Sequence, residues 1–239
     1  MAAAPGAGRN PAEAAALSAG GAAGGAGGGP LGGAEGQLEG QAIALFGTSA
    51  DPPTLGHRSL LEGLLALYPQ VVTWASDNPL KCHGASLAQR TALLQTLVAA
   101  IDNPRLSLRQ DLSSPWAIET LDNARRLWPG RPLVFVVGSD LAGQIPRWKQ
   151  AEAVLTACRL AIVPRCGWPI EPEALERLRS LGARPQLLAL QIPATASSDL
   201  RRVLAGGATN ATTDPAVLPL PAELQPLLLQ HNPYDDTAR

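Results

Sequence analysis

Leu133-Val134-Phe135-Val136-Val137-Gly138-Ser139-Asp140 is the stretch on which the fold turns. Its first five residues are all apolar, and four of them are β-branched or aromatic. No polar residue alternates with them, so a strand built from them needs cover on both faces. That is the signature of a strand inside a parallel sheet. The run stops at Gly138, and a hydroxyl and a carboxylate follow at once.

Working outward, the same alternation of short apolar runs and helical stretches continues in both directions. Residues 42–46 form an apolar run that ends at Gly47. Residues 55–67 read as a helix with Leu60, Leu61, Leu64 and Leu67 on one face. A strand is predicted over 71–75, a helix over 87–101 and a short strand over 106–108. A helix over 118–127 is stopped by Pro129-Gly130. Beyond the opening stretch come strands over 160–163 and 187–190, with a helix over 172–181 between them. Strand–helix alternation of this kind predicts an α/β fold, a Rossmann-like doubly wound parallel sheet. In such sheets ligands lie at the carboxyl ends of strands, near helix N-termini. Three strand ends carry unusual chemistry: those after Phe46, Val137 and Leu190.

Composition narrows the function. The chain has 239 residues and a formal net charge of −1, which argues against holding nucleic acid by bulk electrostatics. Three cysteines, Cys82, Cys158 and Cys166, are too few for a disulfide scaffold and suit a reducing cytoplasm. They offer no C-x-x-C pair, so no protein-held metal site is expected. No apolar run approaches the roughly 18 residues of a membrane span. Of the 24 glycines, 13 fall in the first 40 residues, which also hold 13 alanines. Residues 1–40 therefore read as a disordered Ala/Gly-rich tail, and 41–239 as the folded domain.

The first strand end is Gly47-Thr48-Ser49-Ala50-Asp51-Pro52-Pro53-Thr54-Leu55-Gly56-His57. Gly47, Thr48 and Ser49 suit a backbone that approaches phosphate closely. Thr54 stands where a helix N-cap would, and His57 and Gly56 fall in the first turn, beside free N–H groups. A capped turn with a solvent-facing His is the plain alternative. The second strand end is Gly138-Ser139-Asp140, followed by Ile145-Pro146-Arg147-Trp148-Lys149. Asp140 could accept from ribose hydroxyls or merely cap a helix; Trp148 could stack on a flat ring or fill the core. The third is Ala194-Thr195-Ala196-Ser197-Ser198-Asp199-Leu200-Arg201. There Ser197 or Ser198 could cap a helix whose N–H groups bind phosphate, with Arg201 adding charge. An ordinary capped surface helix would look the same.

Taken in order, these segments resemble the nicotinate/nicotinamide mononucleotide adenylyltransferase family. The first is similar to its G-G-T-F-D-P-P-H-x-G-H signature, with Ala50 for the aromatic residue and Thr54 for the first His. The second resembles its G-A-D and K-W-Y elements, and the third its I-S-S-T-x-I-R element with Ala196 for the first Ser. Ser113-Ser114-Pro115-Trp116-Ala117 is similar to a segment that reads the pyridine carboxyl group, and Asn78-Pro79-Leu80-Lys81 to a phosphate-side loop. The resemblance covers about residues 42–206.

It implies the nucleotidyltransferase fold and adenylyl transfer from ATP, carried with Mg²⁺, to a pyridine mononucleotide in NAD biosynthesis. It makes His57 and Arg201 catalytic. It assigns ATP to Gly47, Thr48, Ser49, Thr54, Gly56, His57, Gly138, Asp140, Ser197, Ser198 and Arg201. It assigns the mononucleotide to Lys81, Trp116, Ala117 and Trp148. Nicotinate mononucleotide is the leading substrate, nicotinamide mononucleotide a close rival, and a non-catalytic nucleotide-binding protein the reading from another class. A cytoplasmic protein without nucleic-acid or membrane partners is implied, and a homo-oligomer stays open.

Overall fold

A computed structural model describes residues 40–78, 81–205 and 219–235. The tail read over 1–40 lies outside these residues, apart from Gly40. The elements run β1 (Ile43–Thr48), α1 (Leu55–Leu67), β2 (Gln70–Ala75), α2 (Leu87–Ile101) and β3 (Leu106–Leu108). Then come α3 (Ala117–Leu127), β4 (Leu133–Gly138), α4 (Ser139–Ala142), α5 (Ala151–Ala157) and β5 (Arg159–Val163). α6 (Pro172–Ser180), β6 (Pro185–Leu187), α7 (Ser197–Ala205) and α8 (Gln225–Gln230) complete the order. The six strands form one sheet in the order β3-β2-β1-β4-β5-β6, and every pairing is parallel.

The apolar strands are covered on both faces, as the absence of polar alternation required. Ala44, Phe46, Val71, Val134, Val136 and Ala161 pack on one face against Leu61 and Leu64 of α1 and Leu94 and Leu97 of α2. Ile43, Leu45, Val72, Phe135, Val137 and Ile162 pack on the other against Leu121 of α3, Leu155 of α5 and Leu178 of α6. Neighbouring residues of one strand thus enter opposite cores. A third cluster joins Leu93, Leu200, Leu220, Leu224, Leu228 and Tyr234, fastening the C-terminal segment to α2 and α7.

One strand differs from expectation. Pairing on β5 occupies Pro185–Leu187, not 187–190. Leu187 is half exposed, as an edge strand permits, and Leu188 adds one further bond to the Ile162 carbonyl. Leu190 and Ile192 are apolar for another reason: they pack in irregular chain against the first core. An apolar run reports burial, and here burial outlasts pairing.

The chain order reverses between β1 and β4, so the loops at their carboxyl ends part and open a crevice. One buried side chain braces its rim. Arg90 of α2, 1% exposed, donates to the carbonyls of Ser49, Ser76 and Ala85. It therefore ties the exits of β1 and β2 to the start of α2. Truncation would strand three carbonyls and an arginine-sized void. Arg90→Ala should lower unfolding free energy by about 3 kcal/mol, read from urea denaturation. Arg90→Lys, which lacks the planar fork, should recover less than half of that loss.

Candidate functional site

The crevice holds a cavity of about 690 Å³ lined by the ends of β1, β4 and β5, the N-termini of α1 and α7, and the loop after β2. That volume suits a nucleotide-sized ligand. Gly47, Thr48, Ser49, Thr54, Gly56, His57, Lys81, Gly138, Asp140, Ser197, Ser198 and Arg201 all lie on its wall. Residues more than a hundred positions apart in the chain are brought together there.

His57 sits at the centre. Its Nδ1 receives the Thr54 backbone N–H at 3.1 Å, so Nδ1 is an acceptor and the ring proton belongs on Nε2. Thr54 Oγ1 lies 2.9 Å from the same Nδ1, and Thr195 Oγ1 donates to Thr54 Oγ1 at 2.9 Å. The Gly56 N–H donates in turn to Thr195 Oγ1. On the other side, Nε2 meets Thr48 Oγ1 at 2.8 Å. Burial, and then the Arg165 guanidinium, push the His57 pKa down to about 4. The imidazole is therefore neutral at physiological pH and works as a fixed N–H donor. Thr48 Oγ1 also accepts the Ala50 N–H, so the group it can still offer a ligand is its own hydrogen.

Thr54 is the helix N-cap foreseen, yet it is fully buried. Its place in the site is to orient His57. The α7 cap differs from expectation: the Ala196 carbonyl accepts from Asp199 and Leu200, so Ser197 and Ser198 are the first two helical residues. A carbonyl can accept these bonds without a hydroxyl, which is why Ala is tolerated at 196. Ser197 Oγ instead donates to the Pro52 carbonyl, fixing α7 to the β1 loop.

Asp51 is the second centre. It is 1% exposed and accepts from the Gly84 and Ala85 N–H groups and from Arg201 Nη1, at 2.8, 3.1 and 3.3 Å. Arg201 Nη1 also donates to the Asp51 carbonyl at 2.6 Å. Across the cavity, Asp140 pairs through Oδ2 with Arg165 Nη1 at 3.0 Å, while its buried Oδ1 has no partner among the described residues. The cap of α4 is Gly138, so Asp140 is not the N-cap its position allowed. Its bare Oδ1 is free to accept from a hydroxyl.

The glycines are required, but by neighbours within the chain. A methyl group on Gly47 would strike the Trp74 indole, one on Gly56 would strike Thr195 Oγ1 and the Pro193 carbonyl, and one on Gly138 would strike Asp140 and Arg165. Spacing alone suggested space reserved for a nucleotide.

Trp116, Ala117 and Trp148 are not on the cavity wall. Trp148 is half-buried and meets Phe135 edge to face, with Trp74 beyond, on the α3 side of the sheet. Trp116 caps α3 and carries the Lys149 ammonium 4.9 Å from its ring centre. Lys149 also pairs with Glu119 at 3.4 Å. Among the wall residues that the sequence did not assign to the site are Asp51, Arg165, Trp168, Thr195 and His83. Arg165 and Trp168 follow β5, a strand end with no phosphate-type signature. Among the described residues, no three His, Cys, Asp or Glu side chains gather to hold a metal. No helix among them is long and apolar enough to cross a membrane.

Comparison with known proteins agrees with this geometry. The cytidylyltransferase-like family model matches residues 45–202. A Synechocystis protein named as a nicotinate-nucleotide adenylyltransferase is 41% identical over 156 residues, covering 61% of this chain and 78% of its own. A Rhodopirellula baltica protein of the same name is 31% identical over 185 residues, covering 69% and 83%. The solved nicotinic acid mononucleotide adenylyltransferase of Plasmodium falciparum, complexed with NaAD, superposes with TM-score 0.65 at 17% identity. It covers 81% of this chain and 97% of its own, a likeness of fold.

Two outcomes test the His57 network. Unfolded, His57 takes a proton near pH 6.5; folded, it refuses one until about pH 4. Its contribution to stability is therefore full above pH 6.5 and is lost as pH falls toward 4. The unfolding free energy from urea denaturation should fall between pH 7 and pH 4.5, by at most about 3 kcal/mol, and His57→Gln should flatten that part of the profile. Thr195→Val should break the chain from Gly56 to His57, lowering kcat roughly tenfold with about 1 kcal/mol of lost stability, read by steady-state kinetics and denaturation.

Proposed function

The chain belongs to the nicotinate-nucleotide adenylyltransferase family of nucleotidyltransferases, and on that footing we propose that it joins ATP and nicotinate mononucleotide into deamido-NAD with release of pyrophosphate. The observation that carries the reading is His57, held as a neutral donor beside Thr48 where two helix N-termini and Arg201 meet at the crevice. A triphosphate needs such a place: donors aimed at it, positive helix ends and little reorganisation.

The chemistry asks little of a general base. The 5′-phosphate of the mononucleotide is already an anion. One of its oxygens forms a bond to the α-phosphorus of ATP, and the bond from that phosphorus to the bridging oxygen breaks, with the electron pair leaving on pyrophosphate. The obstacle is bringing two polyanions into line and stabilising the charge that builds on the leaving group. In this reading, Nε2–H of His57 turns from Thr48 Oγ1 to a phosphate oxygen as the triphosphate enters, and the Thr48 hydroxyl donates to another. Arg201, anchored through Nη1 to Asp51, adds fixed positive charge at the mouth of α7. Asp140 Oδ1 accepts from a ribose hydroxyl. Mg²⁺ accompanies the triphosphate and supplies further charge neutralisation when bound, since the wall carboxylates form no ligand cluster of their own.

Nicotinate is favoured over nicotinamide by the names of the relatives at 41% and 31% identity, since Trp116 lies off the cavity wall and Lys149 is paired with Glu119. In this reading the loop residue Lys81, on the cavity wall, contacts the mononucleotide phosphate.

Pyrophosphate release with ATP, Mg²⁺ and each mononucleotide in turn is the direct test. Turnover should be faster with nicotinate mononucleotide. ATP binding without turnover on either mononucleotide would overturn the enzyme reading. His57→Ala should lower kcat by about 10²-fold, the usual size of a lost transition-state donor; a change under twofold would remove His57 from the chemistry.

A further inference from the structure

His83 lies in the loop between β2 and α2, on the wall of the same cavity. Its Nδ1 faces Asp51 Oδ2 at 3.6 Å. Its Nε2 is buried and has no hydrogen-bond partner among the described residues. A buried ring nitrogen without a partner is costly, and in a ligand cavity it marks a place where a ligand is awaited. Nothing in the spacing of the sequence pointed to it.

The orientation of the ring determines what Nε2 can do. With a carboxylate facing Nδ1, the single proton of the neutral ring belongs on Nδ1. Nε2 then carries a lone pair, which repels a phosphate oxygen that approaches it. The ring is neutral in the empty site, because burial and the Arg90 charge, with Lys81 behind them, outweigh the pull of Asp51 and Asp77. Arg90 is nevertheless engaged with three carbonyls, and Arg201 with Asp51. Tyr234, which also faces Asp51, is held neutral by its own burial and by that carboxylate. An anion at Nε2 would add to the pull of Asp51 and Asp77 on the His83 proton. An opposite charge in contact moves a histidine by about one to three pH units.

We propose that His83 takes up a proton from solvent when a nucleotide phosphate enters the cavity, becoming an imidazolium bridged between Asp51 and a phosphate oxygen. Nδ1–H then points at the Asp51 carboxylate and Nε2–H donates to the phosphate. The site thereby gains one positive charge only when the anion is present. His57 cannot do the same work, since its Nδ1 is already occupied by an N–H donor and a proton there would have nowhere to point. This inference rests on the nucleotide reading of the cavity, but not on catalytic turnover.

Proton uptake on binding is the measurement. The full chain is titrated by calorimetry at pH 7.5 with ATP–Mg²⁺ alone, and separately with nicotinate mononucleotide alone, in two buffers of different ionisation enthalpy. Neither ligand alone can react. Wild type should take up a fraction of a proton, up to about one, with whichever ligand places its phosphate at His83, and the two arms say whether that is the triphosphate or the mononucleotide. His83→Gln should abolish the uptake, and His57→Gln should keep it. Absence of uptake in both arms for wild type, or uptake that survives His83→Gln, overturns the proposal.

A second readout needs no variant. The chain has three histidines, so the His83 ring resonance can be followed by pH titration in the wild-type protein. Its midpoint should move upward with ligand, and an unmoved midpoint defeats the proposal. Normal pyrophosphate release without proton uptake would sink this inference and leave the enzyme reading standing. Uptake without turnover would do the reverse.

Discussion

A single buried carboxylate holds the site together. Asp51 leaves the end of β1 and is almost wholly removed from water. An isolated carboxylate there would be expensive, so it must be satisfied by the protein. It is met by the N–H groups of Gly84 and Ala85 and by Arg201. Those partners come from the β2–α2 loop and from α7. One desolvated charge thus draws three separate chain segments to the same point and makes a crevice into a cavity. Gly84 has no room for a side chain, because Arg201 and Tyr234 pack directly over it. Arg90 repeats the device from the opposite sign, a buried cation met by carbonyls of the same loops.

Around that anchor the site is organised to present hydrogens, not charges. His57 is neutral, Thr48 has its lone pairs occupied, and Thr54 and Thr195 are spent on orienting the ring. Two of the cationic groups at the wall, Arg201 and Arg165, are each paired with a carboxylate. A cavity built this way avoids the self-repulsion of a bare basic pocket while it is empty. It fits a chain with nearly balanced charge.

Much of the fold was legible because burial on two faces leaves a plain mark. The run at 133–137 could only be an inner parallel strand, and α1 and α2 start and stop where their caps and leucine spacing required. The misreading at 187–190 has the same root: periodicity detects burial, and Leu190 is partly buried against the core without being paired. The site was legible where its residues flank strand ends, as with His57 and Arg201. Thr195 and His83 were not, since neither residue type nor spacing distinguishes them from ordinary loop residues. Only their neighbours, many positions away, give them a place in the site.

The sequence by itself determined the doubly wound sheet, the strand ends that carry the chemistry and the family the chain belongs to. These are matters of local pattern, of helical and strand periods broken by Gly, Pro and hydroxyl residues. The tertiary structure decided what each group is. It made His57 a neutral donor, Thr54 and Thr195 its supports, and Asp51 the anchor. It turned Gly47, Gly56 and Gly138 from presumed openings into sites of close internal contact. The physical reason is the same throughout: protonation, hydrogen-bond role and free space depend on what lies within a few ångströms, and most of those neighbours are distant in the chain.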